Sequence, residues 1–426
     1  MNISFDIKGL GSPIFHSPLE NIRFVENGER VIYDVNYTRV KDSIATGDLI
    51  TLERAGPRER IFFAPEETVA AIVTCGGLCP GLNNVIHSLV MQLFYQYRVT
   101  DIIGIRYGYR GLHVEERLNP IRLTPQFVEN IHNFGGSVLG SSRGYSDAAK
   151  IVDGLEYYGI RILFAIGGDG TVRGALNIIA EIERRGLNIA VINIPKTIDN
   201  DIPFISQSFG FETSFSEAVE SIRCAHIEAR GTPYGIGIVK LMGRESGFIA
   251  SQASLAQKDV NYVLVPEIDF ELDGPSGLLH SLETRLRKRE HALIVVAEGA
   301  GQKYFADLPA AYDASGNRKL HDVGMFLKKK IGEYFETIGM KVNVRYIDPS
   351  YIIRSVPANP GDAVFCGFLA ENAVHAAMAG KTSMIIGKWN STFVHLPMDI
   401  ITLGRKKIDP REALWRSVKL STGQPF

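Results

Sequence analysis

One short segment of the chain carries the densest set of residues that could do chemistry. The segment Pro195-Lys-Thr-Ile-Asp-Asn-Asp201 places two carboxylates and a lysine in a single turn. It follows Ile189-Ala-Val-Ile-Asn-Ile194, an apolar run typical of a strand buried on both faces. Ligands of parallel α/β sheets bind at the carboxyl ends of strands, so this charge indicates a functional site.

A second candidate is the turn Ile166-Gly-Gly-Asp-Gly-Thr171, which follows another apolar run and precedes a helical pattern. Glycines at a helix start let backbone amides approach a phosphate, and Asp169 could hold Mg2+ there. Gly-Asp-Gly is also a common tight turn in which the aspartate caps the helix. The turn alone leaves both interpretations open.

A third turn, Cys75-Gly-Gly-Leu-Cys-Pro-Gly-Leu-Asn83, also follows a predicted strand. Gly76, Gly77 and Gly81 would allow backbone amides to bind phosphate at the start of a helix. Leu82-Asn83 stands where a P-loop has Lys-[Ser/Thr], so the lysine and the Mg2+ hydroxyl of that motif are missing. The turn is not a Walker site.

Alternating apolar and amphipathic stretches must position these turns. We predict strands at Val69–Val73, Asp101–Ile105, Arg161–Ile166 and Ile189–Ile194, then at Gly235–Val239, Tyr262–Val265, Ala292–Val296 and Lys341–Val344. Helical spacing follows Asn83 and Val172 and covers Leu278–Arg289. The pattern predicts an α/β protein with two lobes, mainly parallel sheets and the chemistry in the turns after strands.

Composition excludes several classes of protein. The chain has 426 residues, 45% of them hydrophobic, which is enough for two core-bearing lobes. Its net charge of -1 provides no field for nucleic acid or an anionic membrane. Four cysteines suit a reducing compartment, and no apolar stretch reaches membrane-span length, so we expect a cytoplasmic protein.

Three motifs together resemble the phosphofructokinase superfamily. They are Gly167-Gly-Asp-Gly-Thr171, Pro195-Lys-Thr-Ile-Asp-Asn-Asp201 and Met242-Gly-Arg-Glu-Ser-Gly247, in matching order at strand ends. The resemblance covers about residues 69 to 380 and is nearest to the long group that includes pyrophosphate-dependent enzymes and their atypical ATP-using relatives. It implies two Rossmann-like lobes with the active site in the cleft between them. It also implies transfer of the terminal phosphoryl group of ATP to the 1-hydroxyl of fructose 6-phosphate, in glycolysis.

The resemblance assigns the catalytic roles residue by residue. Asp199 would be the general base that accepts the proton of the sugar 1-hydroxyl, and Lys196 and Thr197 would face the phosphoryl group. Arg244 would stabilise the developing charge. Mg2+ is the implied cofactor, held by Asp169 and Asp201.

The resemblance also implies two sets of substrate contacts. The ATP set is Gly77, Tyr109, Arg143, Gly144, Gly168, Asp169, Gly170 and Thr171. The fructose 6-phosphate set is Thr197, Ile198, Asp199, Met242, Gly243, Arg244, Glu298, Arg345, Tyr351 and Arg354. For Arg345 a structural ion pair is an equal alternative.

These roles give the predicted domains their names. Residues 1–68 are a turn-rich N-terminal extension without a sustained helical period, 69–212 the donor lobe and 213–352 the fructose-phosphate lobe. Residues 353–426 return to the donor lobe and end in a tail. Shorter family members bring an arginine across a subunit interface where this chain has Tyr234-Gly235, and the sequence does not show what replaces it.

The phosphoryl donor depends on two residues that point in opposite directions. In similar enzymes a carboxylate at the position of Gly170 would repel the α-phosphate of ATP, so glycine favours ATP. Pyrophosphate-using relatives carry the lysine found here as Lys196. We weigh Gly170 more heavily and expect ATP, with pyrophosphate as the alternative.

Two further alternatives come from other classes. NAD kinases also contain Gly-Gly-Asp-Gly-Thr, but the other two motifs are absent from their pattern. A catalytically silent sugar-phosphate sensor would lack the base or the metal carboxylates, and Asp199 and Asp169 are both present. By analogy we expect a homo-oligomer, dimer or tetramer, under allosteric control, although no motif locates an effector site.

Overall fold

The computed structural model describes residues 4–144, 147–309, 311–312 and 318–426. The strands of these residues are, in chain order, β1 (Phe15–His16), β2 (Arg30–Ile32), β3 (Thr51–Arg54), β4 (Arg60–Ile61), β5 (Val69–Thr74), β6 (Asp101–Ile105), β7 (Ile121–Arg122), β8 (Ile160–Gly167), β9 (Ala190–Pro195), β10 (Gly235–Leu241), β11 (Tyr262–Leu264), β12 (His291–Ala297), β13 (Asn343–Ile347), β14 (Met384–Trp389) and β15 (Thr392–Pro397).

The α-helices of the same residues are α1 (Tyr37–Thr46), α2 (Leu82–Met91), α3 (Pro125–Val128), α4 (Ala148–Tyr157), α5 (Asp169–Arg184), α6 (Phe211–Arg230), α7 (Phe248–Gln257), α8 (Leu278–Arg289), α9 (Val323–Thr337), α10 (Ile352–Ser355), α11 (Pro360–Met378) and α12 (Ala413–Thr422). Each of the eight predicted strands is present, with ends that shift by up to three residues. The predicted helix Leu278–Arg289 is confirmed as α8.

The chain divides into two compact units. Unit 1 comprises Met1–Thr197, Ile202–Gly210 and Val356–Gly404. Unit 2 comprises Ile198–Asp201, Phe211–Ser355 and Arg405–Phe426. The predicted N-terminal extension, residues 1–68, is therefore part of unit 1. The turn that holds Lys196 and Asp199 contributes residues to both units.

Unit 1 is built on a nine-stranded sheet with the order β2-β3-β15-β14-β9-β8-β5-β6-β7. The neighbouring strands from β14 to β6 in this order pair in parallel, and the antiparallel pairs lie at the two ends of the sheet. Its core includes Leu163 of β8 together with Ala175 and Ile178 of α5, all fully buried. Because β8 is buried along nearly its whole length, its sequence is almost continuously apolar.

Unit 2 has a four-stranded parallel sheet with the order β11-β12-β10-β13. A separate core joins β10 and β12 to α8 and α9 through residues such as Ile238, Ile294, Leu282 and Leu327. The predicted α/β class with mainly parallel sheets is confirmed in both units.

The N-terminal extension differs from its prediction at one point. We expected no sustained helical period before residue 68, and the structure has the ten-residue helix α1 there. The helix has no buried residue, so it leaves no apolar stripe in the sequence. Its ends carry the signals instead, since the Asn36 side chain accepts a hydrogen bond from the Arg39 amide and Gly47 closes the helix in the left-handed conformation.

The length and the apolar character of the helices show whether any of them could cross a membrane. Among the helices of the described residues, none combines the length and the apolar character needed to cross a bilayer.

Candidate active site

The glycine turn after β5 in unit 1 has the backbone shape that the sequence predicts. Gly76 and Gly81 have φ angles of 85° and 95°, a region that favours glycine. Gly81 immediately precedes α2, and a β-carbon there would lie 2.6 Å from the Cys366 sulfur. At Gly81 the turn therefore needs glycine for both its conformation and its packing.

The segment that contains Arg143 and Gly144 is fastened to this turn. The Ser141 hydroxyl donates to the Gly76 carbonyl at 2.6 Å, and the Gly76 amide donates to the Ser142 carbonyl at 3.0 Å. Arg143 and Gly144 follow directly and are exposed. Unit 1 thus places these two predicted ATP contacts beside the glycine turn.

The Gly167–Thr171 turn joins β8 to α5. Asp169 is the first residue of this sixteen-residue helix, and the Thr171 amide donates to the Gly168 carbonyl at 2.8 Å. Gly170 is exposed, and a β-carbon added there would have no heavy-atom neighbour within 4 Å. An anion at this helix start would meet backbone amides and open space.

Tyr109 supports this helix from inside the core. Its hydroxyl donates to the Thr171 carbonyl at 3.0 Å, and a β-carbon on Gly174 would lie 2.9 Å from its ring. Burial raises the pKa of the Tyr109 hydroxyl well above its usual range. With only 4% of its surface exposed, Tyr109 acts in this structure on the first turn of α5, and its contact with ATP stays a prediction.

A neighbouring tyrosine outside the predicted set, Tyr107, is the exposed one. Tyr107 follows β6 with a φ angle of 57°, and the guanidinium of Arg106 lies 5.0 Å from the centre of its ring. The Ser142 hydroxyl donates to the Tyr107 carbonyl at 2.6 Å. Tyr107 therefore presents an aromatic ring beside the segment that carries Arg143.

Lys196 brings the two glycine turns of unit 1 together. Its buried ammonium donates to the Gly77 carbonyl at 2.7 Å, and its amide donates to the Gly167 carbonyl at 3.1 Å. The next residue is also held, because the Ser208 hydroxyl donates to the Thr197 carbonyl at 2.6 Å. Predicted donor-side and catalytic residues therefore share one hydrogen-bonded cluster.

Asp199 and Asp201, in unit 2, are both buried. The Ser246 hydroxyl donates to the Asp199 carbonyl at 3.1 Å. Burial raises the pKa of the Asp199 carboxyl well above its usual range, and the carboxylates of Asp201 and Glu298 add to the rise. A buried carboxylate with a raised pKa is a stronger proton acceptor than an exposed one, as a general base requires.

Asp201 has a partner that the sequence does not indicate. The Arg405 guanidinium forms an ion pair with its carboxylate, and the Lys406 amide donates to its carbonyl at 2.7 Å. Asp201 is 2% exposed, so the arginine compensates a charge that water does not reach. No local pattern around residue 405 indicated this contact.

The Met242–Gly247 turn follows β10 in unit 2. Gly243 has a φ angle of 129°, and its carbonyl accepts a hydrogen bond of 3.0 Å from the Gly299 amide. A β-carbon on Gly299 would lie 1.9 Å from the Arg244 carbonyl oxygen. The turns after β10 and β12 therefore pack directly together and bring Arg244 and Glu298 to the same sheet end.

The electrostatics of Arg244 and Glu298 are consistent with a sugar site. Burial raises the pKa of Glu298, while Arg244 and Lys240 oppose the rise. The Arg244 guanidinium donates to the Arg318 carbonyl at 2.5 Å. The carboxylate and guanidinium are groups that bind sugar hydroxyls and phosphate oxygens.

The three remaining predicted sugar-phosphate residues separate into two places. Arg354 lies over the ring of the exposed Tyr351, 4.7 Å from its centre, on and beside the short helix α10. Arg345 is instead exposed in the edge strand β13, opposite Gly237 of β10. It lies roughly 13 Å along the strand direction from the end of β10, given about 3.3 Å per residue. The structure does not gather Arg345 with the turns after β10 and β12.

The two predicted Mg2+ ligands, Asp169 and Asp201, do not suit that role equally well. Within the described ranges no group of three or more His, Cys, Asp or Glu side chains could hold a metal. Phosphoryl-transfer enzymes bind Mg2+ through one or two carboxylates together with substrate phosphates, and Asp169 at an open helix start fits that scheme. The Asp201 carboxylate already forms an ion pair with Arg405, so it suits Mg2+ less well. Both metal assignments stay predictions.

Comparison with known proteins decides the family. The family model for Phosphofructokinase matches residues 69–377. The chain belongs to the phosphofructokinase family. This confirms the resemblance drawn from the three motifs, which all lie inside the matched range.

A similar enzyme from a bacterium extends the match beyond that range. The chain is 48% identical over 438 aligned positions to the ATP-dependent 6-phosphofructokinase of Borreliella burgdorferi, covering 100% of this chain and 98% of the relative. The alignment therefore includes the N-terminal extension and the C-terminal residues.

Solved structures of phosphofructokinases share the fold. The pyrophosphate-dependent phosphofructokinase of Marinobacter aquaeolei aligns with a TM-score of 0.66 at 19% identity, over 84% of this chain and 93% of that chain. Pichia pastoris phosphofructokinase in the T-state aligns with a TM-score of 0.64 at 19% identity, over 83% of this chain. The match spans 37% of the much longer Pichia chain. At this identity the likeness concerns the fold alone.

Proposed function

We propose that the protein is an ATP-dependent 6-phosphofructokinase, which transfers the terminal phosphoryl group of ATP to the 1-hydroxyl of fructose 6-phosphate and forms fructose 1,6-bisphosphate. The observation that carries the choice of ATP is the open, exposed position of Gly170 at the start of α5. A longer donor than pyrophosphate needs space at this point. The Borreliella burgdorferi relative, which is 48% identical, is an ATP-dependent 6-phosphofructokinase, and this supports the same donor.

The donor side of the reaction rests on the residues of unit 1. Amides of the glycine turn at 76–81 and of the first turn of α5 supply fixed dipoles for phosphate oxygens. Lys196 adds a positive charge that is already oriented by Gly77. Mg2+, which we propose is held through Asp169, would neutralise phosphate charge when it is bound.

The acceptor side rests on the residues of unit 2. Asp199 accepts the proton of the attacking hydroxyl, and its raised pKa suits it to that task. Arg244 supplies charge for the phosphoryl oxygens. Glu298 binds sugar hydroxyls, and Arg354 with Tyr351 binds the 6-phosphate. Phosphoryl transfer needs mainly positioning and charge neutralisation, which this set provides.

Pyrophosphate remains the second candidate donor because Lys196 is present. In this structure, however, the lysine has a role that does not depend on the donor, since its ammonium binds the Gly77 carbonyl. Cytoplasmic location, assembly as a dimer or tetramer and allosteric control stay predictions from the family resemblance.

Product formation tests the proposed reaction. The purified protein is incubated with ATP, Mg2+ and fructose 6-phosphate, and fructose 1,6-bisphosphate is measured by coupling to aldolase and NADH oxidation. We expect stoichiometric ADP and bisphosphate. Absence of bisphosphate, with retained binding of fructose 6-phosphate, would contradict the proposal and favour a sugar-phosphate sensor.

A further inference from the structure

Residues 405–408, here called the C-terminal strap, contact both catalytic turns of unit 2. The strap begins 204 residues after Asp201 in the sequence. Its contacts include Asp201, Glu245, which is next to Arg244 in the sequence, and Glu267, which binds the end of the turn after β10. None of the roles assigned so far uses the strap.

The first group of contacts holds the turn of the general base. Arg405 forms the ion pair with the buried carboxylate of Asp201, and the Lys406 amide donates to the Asp201 carbonyl at 2.7 Å. Side chain and backbone of one residue are therefore fixed by two consecutive residues of the strap. A buried carboxylate that lost its cation would be driven to move or to take up a proton.

The second group holds the turn that follows β10. The Arg405 Nε atom lies 3.4 Å from a carboxylate oxygen of Glu245. One oxygen of Glu267 accepts hydrogen bonds from the Gly247 amide at 3.0 Å and from the Ile408 amide at 2.9 Å. Glu267 thus joins the far end of the strap to the far end of the turn.

A further hydrogen bond closes the ring of contacts. The Ser246 hydroxyl donates to the Asp199 carbonyl at 3.1 Å, so the turn after β10 is bound to the turn of the base. The strap, Asp201, Asp199, Ser246 and Glu267 form a continuous circuit. The backbone of Asp199 lies inside that circuit and is restrained from both sides.

From this circuit we infer that Arg405 is a positioning residue for Asp199, acting through Asp201. The inference rests on the proposed function, because it gives Asp199 the role of general base. A misplacement of a catalytic group by about 1 Å can lower a rate about 100-fold, so loss of this restraint should appear in turnover. A merely stabilising ion pair would affect unfolding and leave turnover of the folded enzyme intact.

Steady-state kinetics of R405Q and R405K test the inference, with R411Q as the matched control. Arg411 belongs to the same C-terminal region but pairs with Asp409 on the surface. For R405Q we expect kcat to fall roughly 10- to 100-fold while KM for both substrates changes little. R405K should recover part of the loss, and R411Q should equal wild type. A folded R405Q with wild-type kcat would overturn the inference.

A double variant separates action through Asp201 from an independent effect. If Arg405 acts through Asp201, kcat of D201N/R405Q should equal that of D201N. A kcat lowered by the product of the two single effects would overturn the inference. Should R405Q fail to fold, E267A provides the second route, because it removes the acceptor for Gly247 and Ile408 and leaves the ion pair. An unchanged kcat for E267A would then contradict the positioning role of the strap.

Hydrogen–deuterium exchange gives a readout that does not need turnover. Amides of 198–201 and 243–247 should exchange faster in R405Q than in wild type and R411Q. Unchanged exchange rates of these amides in R405Q would overturn the inference that Arg405 restrains the two turns. Inactive wild type would instead contradict the proposed function, so the two failures are distinguishable.

Discussion

The Lys196 ammonium lies 2.7 Å from the Gly77 carbonyl oxygen, to which it donates a hydrogen bond across 119 residues of sequence. The lysine therefore closes the turn after β9 onto the glycine turn after β5. In the sequence, Lys196 is the residue that favours pyrophosphate. Its position in the structure gives it a use with either donor, so its presence does not by itself select pyrophosphate.

Replacement of Lys196 by methionine should lower kcat with ATP roughly 100-fold, the usual effect of removing one oriented donor from a phosphoryl or oxyanion site. The variant loses the charge and leaves the Gly77 carbonyl without this donor. Initial rates with ATP and fructose 6-phosphate measure the effect. K150M, on the exposed side of α4, is the control and should match wild type. A fully active K196M would contradict the role.

Gly170→Asp should damage ATP use without damaging the fold. A side chain fits at this open position, but its charge would face the donor phosphates, and close like charges cost several kcal/mol. We expect kcat/KM for ATP to fall at least about 30-fold, equivalent to ~2 kcal/mol. Gly170→Ala, which adds volume but no charge, should stay near wild type. Equal losses in both variants would indicate a steric effect.

Asp199→Asn should lower kcat by about 100- to 10,000-fold, the range typical of a lost general base. The amide keeps the shape of the side chain but cannot accept the proton. Binding of fructose 6-phosphate, measured by calorimetry, should be retained. Asp409→Asn, at a partly exposed site of the same unit, is the control. Turnover of D199N near wild type would remove Asp199 from its role.

Glu53→Gln should destabilise unit 1 by about 3 kcal/mol at roughly neutral pH, the usual cost of breaking a buried ion pair on one side. Glu53 accepts from His395 Nδ1 at 2.9 Å and lies 3.0 Å from the Lys381 ammonium. Urea unfolding measures the difference. Glu29→Gln removes a carboxylate from an ion pair with Arg54 nearer the surface and should have little effect.

The effect of Glu53 should depend on pH in a defined direction. Burial opposes its ionisation, but hydrogen bonds from His395 and Lys381 outweigh burial and lower the pKa of Glu53 to about 2. A lowered pKa stabilises the folded state above the unfolded value of about 4.5, and this stability is lost as the pH falls from there towards 2. The difference between wild type and E53Q should therefore shrink below about pH 4.5. A difference that grew on acidification would contradict the ion pair.

The fold could be predicted where burial leaves a local pattern. β8 and β9 are buried along nearly their whole length, so they read as continuous apolar runs, and α8 has an apolar stripe with buried Leu282 and Leu286. α1 packs no residue in the core, and only its caps distinguish it from a loop. Apolar periodicity reflects burial, so it does not reveal an exposed helix.

The candidate site could be predicted where its residues share a turn or follow a strand. Lys196 and Asp199 were found in this way. Arg405 could not be, because its contact with Asp201 spans 204 residues and an isolated arginine has no signature. Tyr107 and Tyr109 differ by two positions in a turn without regular period, so the sequence did not distinguish the exposed ring from the buried one.

The most direct test of the proposed function compares two phosphoryl donors. Initial rates are measured with fructose 6-phosphate and Mg2+ in identical assays that contain either ATP or pyrophosphate. Turnover with ATP alone is the predicted result, because Gly170 leaves room for the longer donor and Lys196 serves the glycine turn. Turnover with pyrophosphate alone would contradict the account and would make Lys196, rather than Gly170, the residue that selects the donor.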